Sequence, residues 1–173
     1  AHELQEASAL LKVKPAELVG RMSAQLNEIR DLRRAVEEAL LSFYGALEGR
    51  GIEPQVRLPE EKVERLLDPA ALSRVLGNIL TNALKYSAGD LEVTLEERGR
   101  LTFSNAAPGL DPVTAGRLFD RFYTVEAARN STGLGLSIAK ELTQRMDGSI
   151  GAALHGGTLT VWVEFPRQEL DRK

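Results

Sequence analysis

Two asparagines and a lysine follow a helical spacing in the middle of the chain. Asn78, Asn82 and Lys85 stand at positions i, i+4 and i+7, so a helix presents them on one face. Amide oxygens can bind a divalent cation, and Mg²⁺ typically takes few protein ligands and relies on substrate phosphates. The stripe therefore suits a metal–phosphate group. The spacing alone also fits the solvated face of an amphipathic helix, and by itself it favours that simpler interpretation.

A glycine-rich turn precedes a second helical segment. Residues Ser131 to Leu136 read Ser-Thr-Gly-Leu-Gly-Leu, and a helix is predicted to follow up to Met146. Glycine lets the backbone approach a ligand closely, and a helix N-terminus presents unpaired N–H groups to phosphate. A tightly packed turn is the equal alternative. The chain lacks the GxxxxGK[ST] phosphate loop, and the turn does not follow a first strand as a dinucleotide fingerprint does.

Two further segments are weaker signals when taken alone. Asn105 to Leu110 reads Asn-Ala-Ala-Pro-Gly-Leu at the end of a predicted strand, which by itself indicates a turn. Leu118 to Tyr123 is rich in phenylalanine, and by itself it indicates a small hydrophobic plug.

The elements that must position these residues follow from apolar periodicity and from turn residues. Helices are predicted at Leu4–Leu11, Glu17–Ile29, Asp31–Leu47, Asp68–Tyr86 and Thr132–Met146, and strands at Ile52–Leu58, Leu91–Glu97, Arg100–Ser104, Ser149–Leu154 and Thr158–Phe165. In the third helix the predicted core face holds Val36, Leu40, Phe43, Tyr44 and Leu47, and Gly148 is the predicted stop of the last helix. Residues 106–131 have little periodicity and predict a functional loop or lid. The strands come mainly as hairpins, which predicts an α+β fold with helices on one face of a mixed, mostly antiparallel sheet.

Composition narrows the class of protein. A chain of 173 residues is enough for one domain with a sound core. The net charge of −3 provides no basic field for nucleic acid or an acidic membrane, and the absence of cysteine excludes disulfides and thiolate metal sites. No apolar run reaches the length of a membrane-spanning helix, so we expect any membrane anchor of the parent protein to lie in segments absent from this sequence.

The order of the four segments resembles a known family. The four segments "NILTNALKYS", the Asn-x-x-Pro-Gly turn, "LFDRFYTVE" and "STGLGLSIAKEL" resemble the N, G1, F and G2 boxes of histidine-kinase ATP-binding domains. Those domains belong to a wider group that also includes gyrase B, Hsp90 and MutL. The resemblance covers about residues 31–166. It implies the family's two-layer α/β sandwich (the Bergerat-type ATP-binding fold), with ATP and Mg²⁺ between the asparagine helix and the glycine-turn helix.

The resemblance also implies roles for individual residues. Asn82 matches the Mg²⁺-binding asparagine, Asn78 and Lys85 match phosphate-holding positions, and Tyr86 matches an aromatic beside the nucleotide. Phe119 and Phe122 match aromatics beneath a lid, which we expect to be short and to run through Ala127–Asn130. The implied nucleotide-binding residues are Asn78, Asn82, Lys85, Tyr86, Asn105, Gly109, Phe122, Thr132, Gly133, Leu134, Gly135 and Leu136, with Asn82 also the metal ligand.

Three positions depart from the family pattern. Asn105 replaces the usual adenine-reading Asp, but an amide can both accept from the adenine amino group and donate to the ring nitrogen beside it, so we expect adenine specificity to survive. Ala107 replaces a glycine, so the turn must tolerate a Cβ atom. Thr124 stands where many relatives have a basic residue, and Arg121 or Arg129 is available to supply that charge.

The implied reaction is phosphoryl transfer rather than hydrolysis. Hydrolysing relatives carry a glutamate general base where this chain has Asn78, and an amide cannot act as a general base. The resemblance implies a cytoplasmic catalytic portion of a membrane-anchored bacterial kinase, which donates the γ-phosphoryl group to a histidine on its own dimerisation domain for relay to a response regulator. The alternatives are a nucleotide-binding pseudokinase or sensor module, favoured by the altered G1 turn, and a serine kinase of the anti-sigma-factor type.

The domain organisation completes the sequence-based expectations. Residues 1–30 are expected to be the end of a dimerisation-hairpin helix and its linker, residues 31–166 the ATP-binding domain, and residues 167–173 a polar tail. The chain has 2 histidines. His2 is followed by too few residues for a full hairpin and His155 lies beside a glycine turn, so we expect the acceptor histidine to be absent and the chain alone not to autophosphorylate.

Overall fold

A computed structural model describes residues 27–120 and 135–168. In chain order the elements are β1 (Glu28–Asp31), α1 (Leu32–Ser42), α2 (Tyr44–Gly49), β2 (Gln55–Arg57), β3 (Glu64–Leu67), α3 (Pro69–Tyr86), β4 (Glu92–Leu95), β5 (Arg100–Ala106), α4 (Pro112–Ala115), α5 (Gly135–Arg145), β6 (Ser149–His155) and β7 (Thr158–Glu164). The main sheet has the order β2-β4-β5-β7-β6, and β1 pairs with β3 separately. Its β2–β4 pair is parallel and its other pairs are antiparallel. The predicted fold class is confirmed.

The main sheet has one buried face. Along β5, Leu101, Phe103 and Asn105 are buried while the residues between them are half-exposed, the period-two pattern of a sheet covered on one side. The covering layer includes α3, whose Val75 and Ile79 are completely buried. Each such side chain contributes about 1.5–3 kcal/mol relative to an exposed one. Helices and sheet thus form two layers around one core.

Helix α3 begins and ends where the sequence predicts. The Asp68 carboxylate accepts from the Ala70 and Ala71 N–H groups at 3.0 and 3.3 Å, and Pro69 occupies the first helical position. The Ser87 N–H closes the last turn on the Ala83 carbonyl oxygen. This confirms the predicted asparagine helix.

The predicted helix over Asp31–Leu47 is interrupted. Asp31 caps it as expected, but at Phe43 the backbone leaves helical geometry (φ −98°, ψ 3°), and α2 starts anew at Tyr44. Leu47 remains buried, whereas Tyr44 is 63% exposed. The placement of Tyr44 on the core face was therefore wrong, because the break changes the phase of the helical period.

The first strand was not predicted. Glu28 and Ile29, assigned to the end of a helix, lie in β1, where Ile29 pairs with Leu66 of the equally unpredicted β3. Leu4–Leu11 and the earlier part of Glu17–Ile29 lie outside the described residues. The predicted strand Ile52–Leu58 is shorter in the structure, because Pro54 precedes β2 and has no N–H group for a ladder.

The glycines after α5 and in the first hairpin have different roles. The left-handed residue after α5 is Asp147 (φ 59°), not the predicted stop Gly148. A Cβ atom at Gly148 would lie 2.8 Å from Phe165 Cδ1, so glycine is needed there for space. Gly99 has φ 91°, and a Cβ atom there would lie 2.3 Å from the Phe165 carbonyl oxygen. The structure confirms both predicted hairpins.

A buried arginine joins three distant parts of the fold. Arg65 of β3 is 5% exposed. It donates to the carbonyl oxygens of Glu64 at 2.8 Å, Phe165 at 2.8 Å and Arg98 at 3.0 Å. Burial, with the nearby charge of Arg167, lowers the pKa of the guanidinium from its usual value.

No helix within the described ranges combines the length and apolarity needed to cross a bilayer.

Candidate functional site

The polar stripe of α3 is present as predicted. Asn78, Asn82 and Lys85 are all half-buried, while Ile79 and Ala83 on the other side of the helix face the core. The same helix therefore anchors itself in the core and presents two amides and an ammonium at the edge of the helical layer.

Asn78 connects the stripe to the glycine turn. Its Nδ2 donates to the Gly135 carbonyl oxygen at 2.9 Å, so the middle of α3 touches the start of α5. Leu136 packs into the core with 6% exposure, which fixes this end of α5. Among the described residues, a Cβ atom at Gly135 would meet nothing within 4 Å. Tight packing against the described residues therefore does not account for this glycine.

Two cationic side chains, Lys85 and Arg50, lie at the C-terminal end of α3. Lys85 Nζ lies 5.4 Å from the centroid of the Tyr86 ring, within the range of a cation–π contact. Arg50, just after α2, donates to the Leu84 carbonyl oxygen and, at 3.1 Å, to that of Ser87. A cation at a helix C-terminus is favourable because the carbonyl groups there carry partial negative charge. Sequence analysis missed Arg50, since no local pattern links residues that are 34 apart.

Asn105 is a buried amide at the end of a sheet strand. It is 3% exposed, and its Nδ2 donates to the Ala106 carbonyl oxygen at 3.1 Å. Because buried amides need hydrogen-bond partners, its remaining capacity suits the polar edge of a heterocycle.

The altered turn after Asn105 accommodates its extra carbon. Ala107 is 1% exposed, and its N–H donates to the Gly157 carbonyl oxygen at 2.8 Å. The methyl group is thus part of the core rather than an obstacle. Gly109, farther along the turn, is exposed.

A turn that the sequence analysis did not single out joins the two halves of the site. Ser87 Oγ accepts from the Gly89 and Asp90 N–H groups, both at 3.0 Å. The Asp90 carboxylate accepts from the Ala106 N–H at 3.0 and 3.1 Å, and the Ala88 N–H donates to the Ala106 carbonyl oxygen at 3.0 Å. The end of the asparagine helix is therefore fixed to the strand end that carries Asn105. The Ser-x-x-Asp spacing was the available signal.

The remaining predicted residues divide between the two parts of the chain. Leu118 is buried and Phe119 packs against the core, as expected for a hydrophobic plug. Phe122, Thr132, Gly133 and Leu134 lie outside the described residues, as do Arg121, Thr124, Arg129 and the expected lid Ala127–Asn130. Among the described residues, Asn78 and Gly135 are joined by a hydrogen bond. Tyr86 and Asn105 are connected through the Ser87–Asp90 turn, which follows Tyr86 and binds the backbone next to Asn105.

The donor set fits a cation that arrives with phosphate. Within the described residues there is no group of three or more His, Cys, Asp or Glu side chains that could form a metal site. A half-buried amide such as that of Asn82 provides one neutral oxygen ligand, which suits Mg²⁺ that keeps its waters and its phosphate ligands. Such a ligand would suit a metal ion that is carried by a phosphate-containing substrate.

Comparison with known proteins gives consistent matches. A family model described as "Histidine kinase-, DNA gyrase B-, and HSP90-like ATPase" matches residues 67–169. The chain is 34% identical over 155 residues to the signal transduction histidine-protein kinase BaeS of Escherichia coli (strain K12), covering 83% of this chain and 33% of that protein. Across the first curated relatives, the chain spans 21–39% of their length.

Solved structures match in fold. The catalytic domain of the histidine kinase ThkA aligns with a TM-score of 0.72 at 20% identity, covering 81% of this chain and 95% of that one. Full-length ShkA in complex with AMPPNP aligns with a TM-score of 0.66 at 26% identity, covering 81% of this chain and 31% of that one. Both alignments extend over the larger part of this chain.

Proposed function

This chain belongs to the histidine kinase-, DNA gyrase B- and HSP90-like ATPase family, and from that premise we propose that it binds ATP with Mg²⁺ between α3 and the start of α5. Asn82 is the ligand to Mg²⁺, and Asn78, Lys85 and the glycine turn hold the phosphates. Asn105 reads the adenine edge. The similarity of the chain to ShkA, whose structure was solved in complex with AMPPNP, supports this assignment.

The hydrogen bond between Asn78 and Gly135 carries the proposal. Amides and a lysine along a helix are common, and so are glycine turns. A bond of 2.9 Å joins Asn78 of the polar stripe to the Gly135 backbone of the glycine turn, which supports one shared site for a cation and phosphate. Ala107 is buried and its N–H donates to the Gly157 carbonyl oxygen, so the altered G1 turn tolerates its methyl group, which favours a working site.

The proposed reaction is transfer of the γ-phosphoryl group to a histidine. A histidine nitrogen forms a bond to the γ-phosphorus as the bond to the bridging oxygen breaks, which releases ADP. Positioning and charge stabilisation carry most of the catalysis in such transfers. Bound Mg²⁺ would supply part of that charge stabilisation. Asn78 cannot activate water, so hydrolysis is a poor competitor.

The rest of the parent protein sets the context of the reaction. The accepting histidine belongs to a dimerisation domain outside this chain, and a response regulator then receives the phosphoryl group. The catalytic portion works in the cytoplasm, and a membrane anchor lies elsewhere in the parent. The similarity to BaeS, named a signal transduction histidine-protein kinase, supports the signalling and histidine-kinase part of this reconstruction.

Calorimetric titration with ATP tests the site. The full chain should bind ATP saturably, and omission of Mg²⁺ or Asn82→Ala should weaken binding by at least about tenfold. Omission of Mg²⁺ removes a charge-assisted contact to phosphate, and Asn82→Ala removes the proposed protein ligand of that cation. Ser73→Ala is a matched control, because Ser73 is an exposed residue elsewhere on the same helix. ATP binding that is absent, or that Asn82→Ala leaves unchanged, would refute the assignment.

A further inference from the structure

A wide apolar groove lies beside α1, α2 and β2. It has a volume of about 920 Å³, with Leu41, Tyr44 and Val56 among its apolar lining and Glu37, Glu48 and Glu53 among its polar lining. We call it the acidic-rimmed groove. None of the residues of the proposed nucleotide site lines it. It therefore needs an explanation of its own.

The groove exposes large apolar side chains. Leu41 is 74% exposed, Tyr44 63% and Val56 40%. Because exposed apolar area gathered at one place marks an interaction surface more often than scattered residues do, this cluster indicates a binding surface. Tyr44 follows the helix break at Phe43, and Leu41 and Tyr44 both line the groove. High exposure of the lining also shows an open groove rather than a closed ligand cavity.

The charges around the groove have one sign. Apart from Tyr44, the titratable side chains that line the groove are three glutamates. Within the described residues, none of the three forms an ion pair, although other glutamates such as Glu38 do. A second copy of the chain docked on this face would place like charges together, which disfavours self-association. The complementary occupant carries positive charge.

We propose that the acidic-rimmed groove binds a basic amphipathic helix of a partner protein. Such a helix presents apolar residues at i, i+4 and i+7 to Leu41, Tyr44 and Val56, and its flanking lysines or arginines face the three glutamates. An added strand is the poorer occupant, because β2 has three residues and proline precedes it. Tyr44 is the expected energetic centre of the contact.

A synthetic peptide about four helical turns long tests the proposal. It has leucines along one stripe and lysines on both flanks, and its binding to the full chain is followed by fluorescence anisotropy. One control peptide replaces each lysine by glutamate, and another replaces each leucine by serine. We expect saturable binding of the lysine–leucine peptide alone. Binding of the glutamate peptide with equal affinity, or no binding of any peptide, overturns the proposal.

Matched variants locate the binding. Leu41→Ser and Tyr44→Ser should each weaken it at least about tenfold, whereas Val113→Ser, at another exposed apolar residue, should not. The triple change Glu37→Gln, Glu48→Gln and Glu53→Gln should weaken it about three- to tenfold and reduce its salt dependence. The same glutamate-to-glutamine changes at the exposed Glu96, Glu97 and Glu141 should not weaken peptide binding. Melting temperatures verify folding, and equal effects at groove and control positions would overturn the assignment.

Discussion

At the residue scale, Asp90 holds the proposed adenine-reading strand in place. Its carboxylate accepts from the Ala106 N–H, one residue after Asn105, while Ser87 and Ala88 complete the turn from the asparagine helix. Asp90 is exposed and does not itself belong to the buried face of the sheet. Its effect on nucleotide binding is therefore indirect, through the position of Asn105.

Replacement of Asp90 should reveal that positioning role. Asp90→Ala removes a hydrogen bond to a charged acceptor, which is worth about 1.5–3 kcal/mol, and leaves the Ala106 N–H without its partner. We expect ATP affinity to fall about five- to tenfold and the preference for ATP over GTP to narrow. Calorimetry with both nucleotides measures this.

The conservative variant separates positioning from general destabilisation. Asp90→Asn retains an acceptor oxygen, so it should recover most of the preference for ATP. Glu92→Ala, at an exposed residue on the neighbouring β4, should bind both nucleotides as the original chain does. A preference for ATP that is unchanged in Asp90→Ala would argue against the positioning role.

Most residues of the candidate site could be proposed from the sequence because they lie in short local patterns. Asn78 and Asn82 are one helical turn apart, and Gly135 belongs to a compact glycine motif. Arg50 was missed for a physical reason: its partner Leu84 is 34 residues away and is chosen by tertiary packing, which no spacing along the chain encodes. For Asp90 the Ser-x-x-Asp spacing signals a local turn, but it does not reveal the tertiary bond to Ala106.

At the element scale, Asp31 is a junction of β1, α1 and the loop before β3. Its Oδ1 accepts from the Arg33 and Val63 N–H groups, each at 3.2 Å, and the Arg33 guanidinium also contacts the carboxylate. Burial by itself would raise the pKa of Asp31. The hydrogen bonds from Arg33 and Val63 and the charge of Arg33 outweigh burial and lower that pKa from 3.8.

This lowered pKa predicts a pH-dependent contribution to stability. Because the folded state holds the ionised carboxylate, the contribution is fully present above about pH 4, the unfolded value, and is lost as pH falls through the lower folded value. Asp31→Asn should therefore lower the melting temperature near pH 7, and the gap to the original chain should close on acidification. Thermal denaturation from pH 7 to pH 2 measures the gap. If the difference in melting temperature stayed constant with pH, the contribution of Asp31 to stability would come from the geometry of the cap and not from its charge.

The elements differ in how well the sequence predicts them. Helix α3 has a cap, a proline at its first position and a long apolar period, so every local signal agrees. The pair β1–β3 escaped prediction because four-residue strands have little periodicity, and Ile29 also continued a helical spacing. The break at Phe43 has no proline or glycine at the position itself, so a continuous helix was the better expectation from sequence.

At the scale of the whole molecule, we expect nucleotide binding and phosphoryl transfer to be separable. The chain has 2 histidines, and His155 is an exposed residue at the end of β6. If the acceptor belongs to a separate domain, the chain alone should bind ATP without acquiring phosphate. Incubation with radiolabelled ATP, followed by acid and base treatment, should therefore show no stable label.

The chemical stability of any phosphate attached to the chain would distinguish the possible activities. Acid-labile phosphate that disappears in His2→Ala or His155→Ala would contradict the separate-acceptor proposal. Acid-stable phosphate would instead favour a serine kinase. ATP binding with no transfer after the dimerisation domain is supplied would favour the nucleotide-sensing module.

The buried guanidinium of Arg65 also has a consequence for biosynthesis. Its partner at Phe165 follows 100 residues later in the chain. At a translation rate of about 5–20 residues per second, about 5–20 s pass between the synthesis of the two. During that interval the cation lacks one of its carbonyl acceptors, and β7 has not yet been made. The nucleotide-binding fold therefore cannot be completed from its N-terminal half, and the nascent domain reaches its final packing only when nearly the whole of it has been translated.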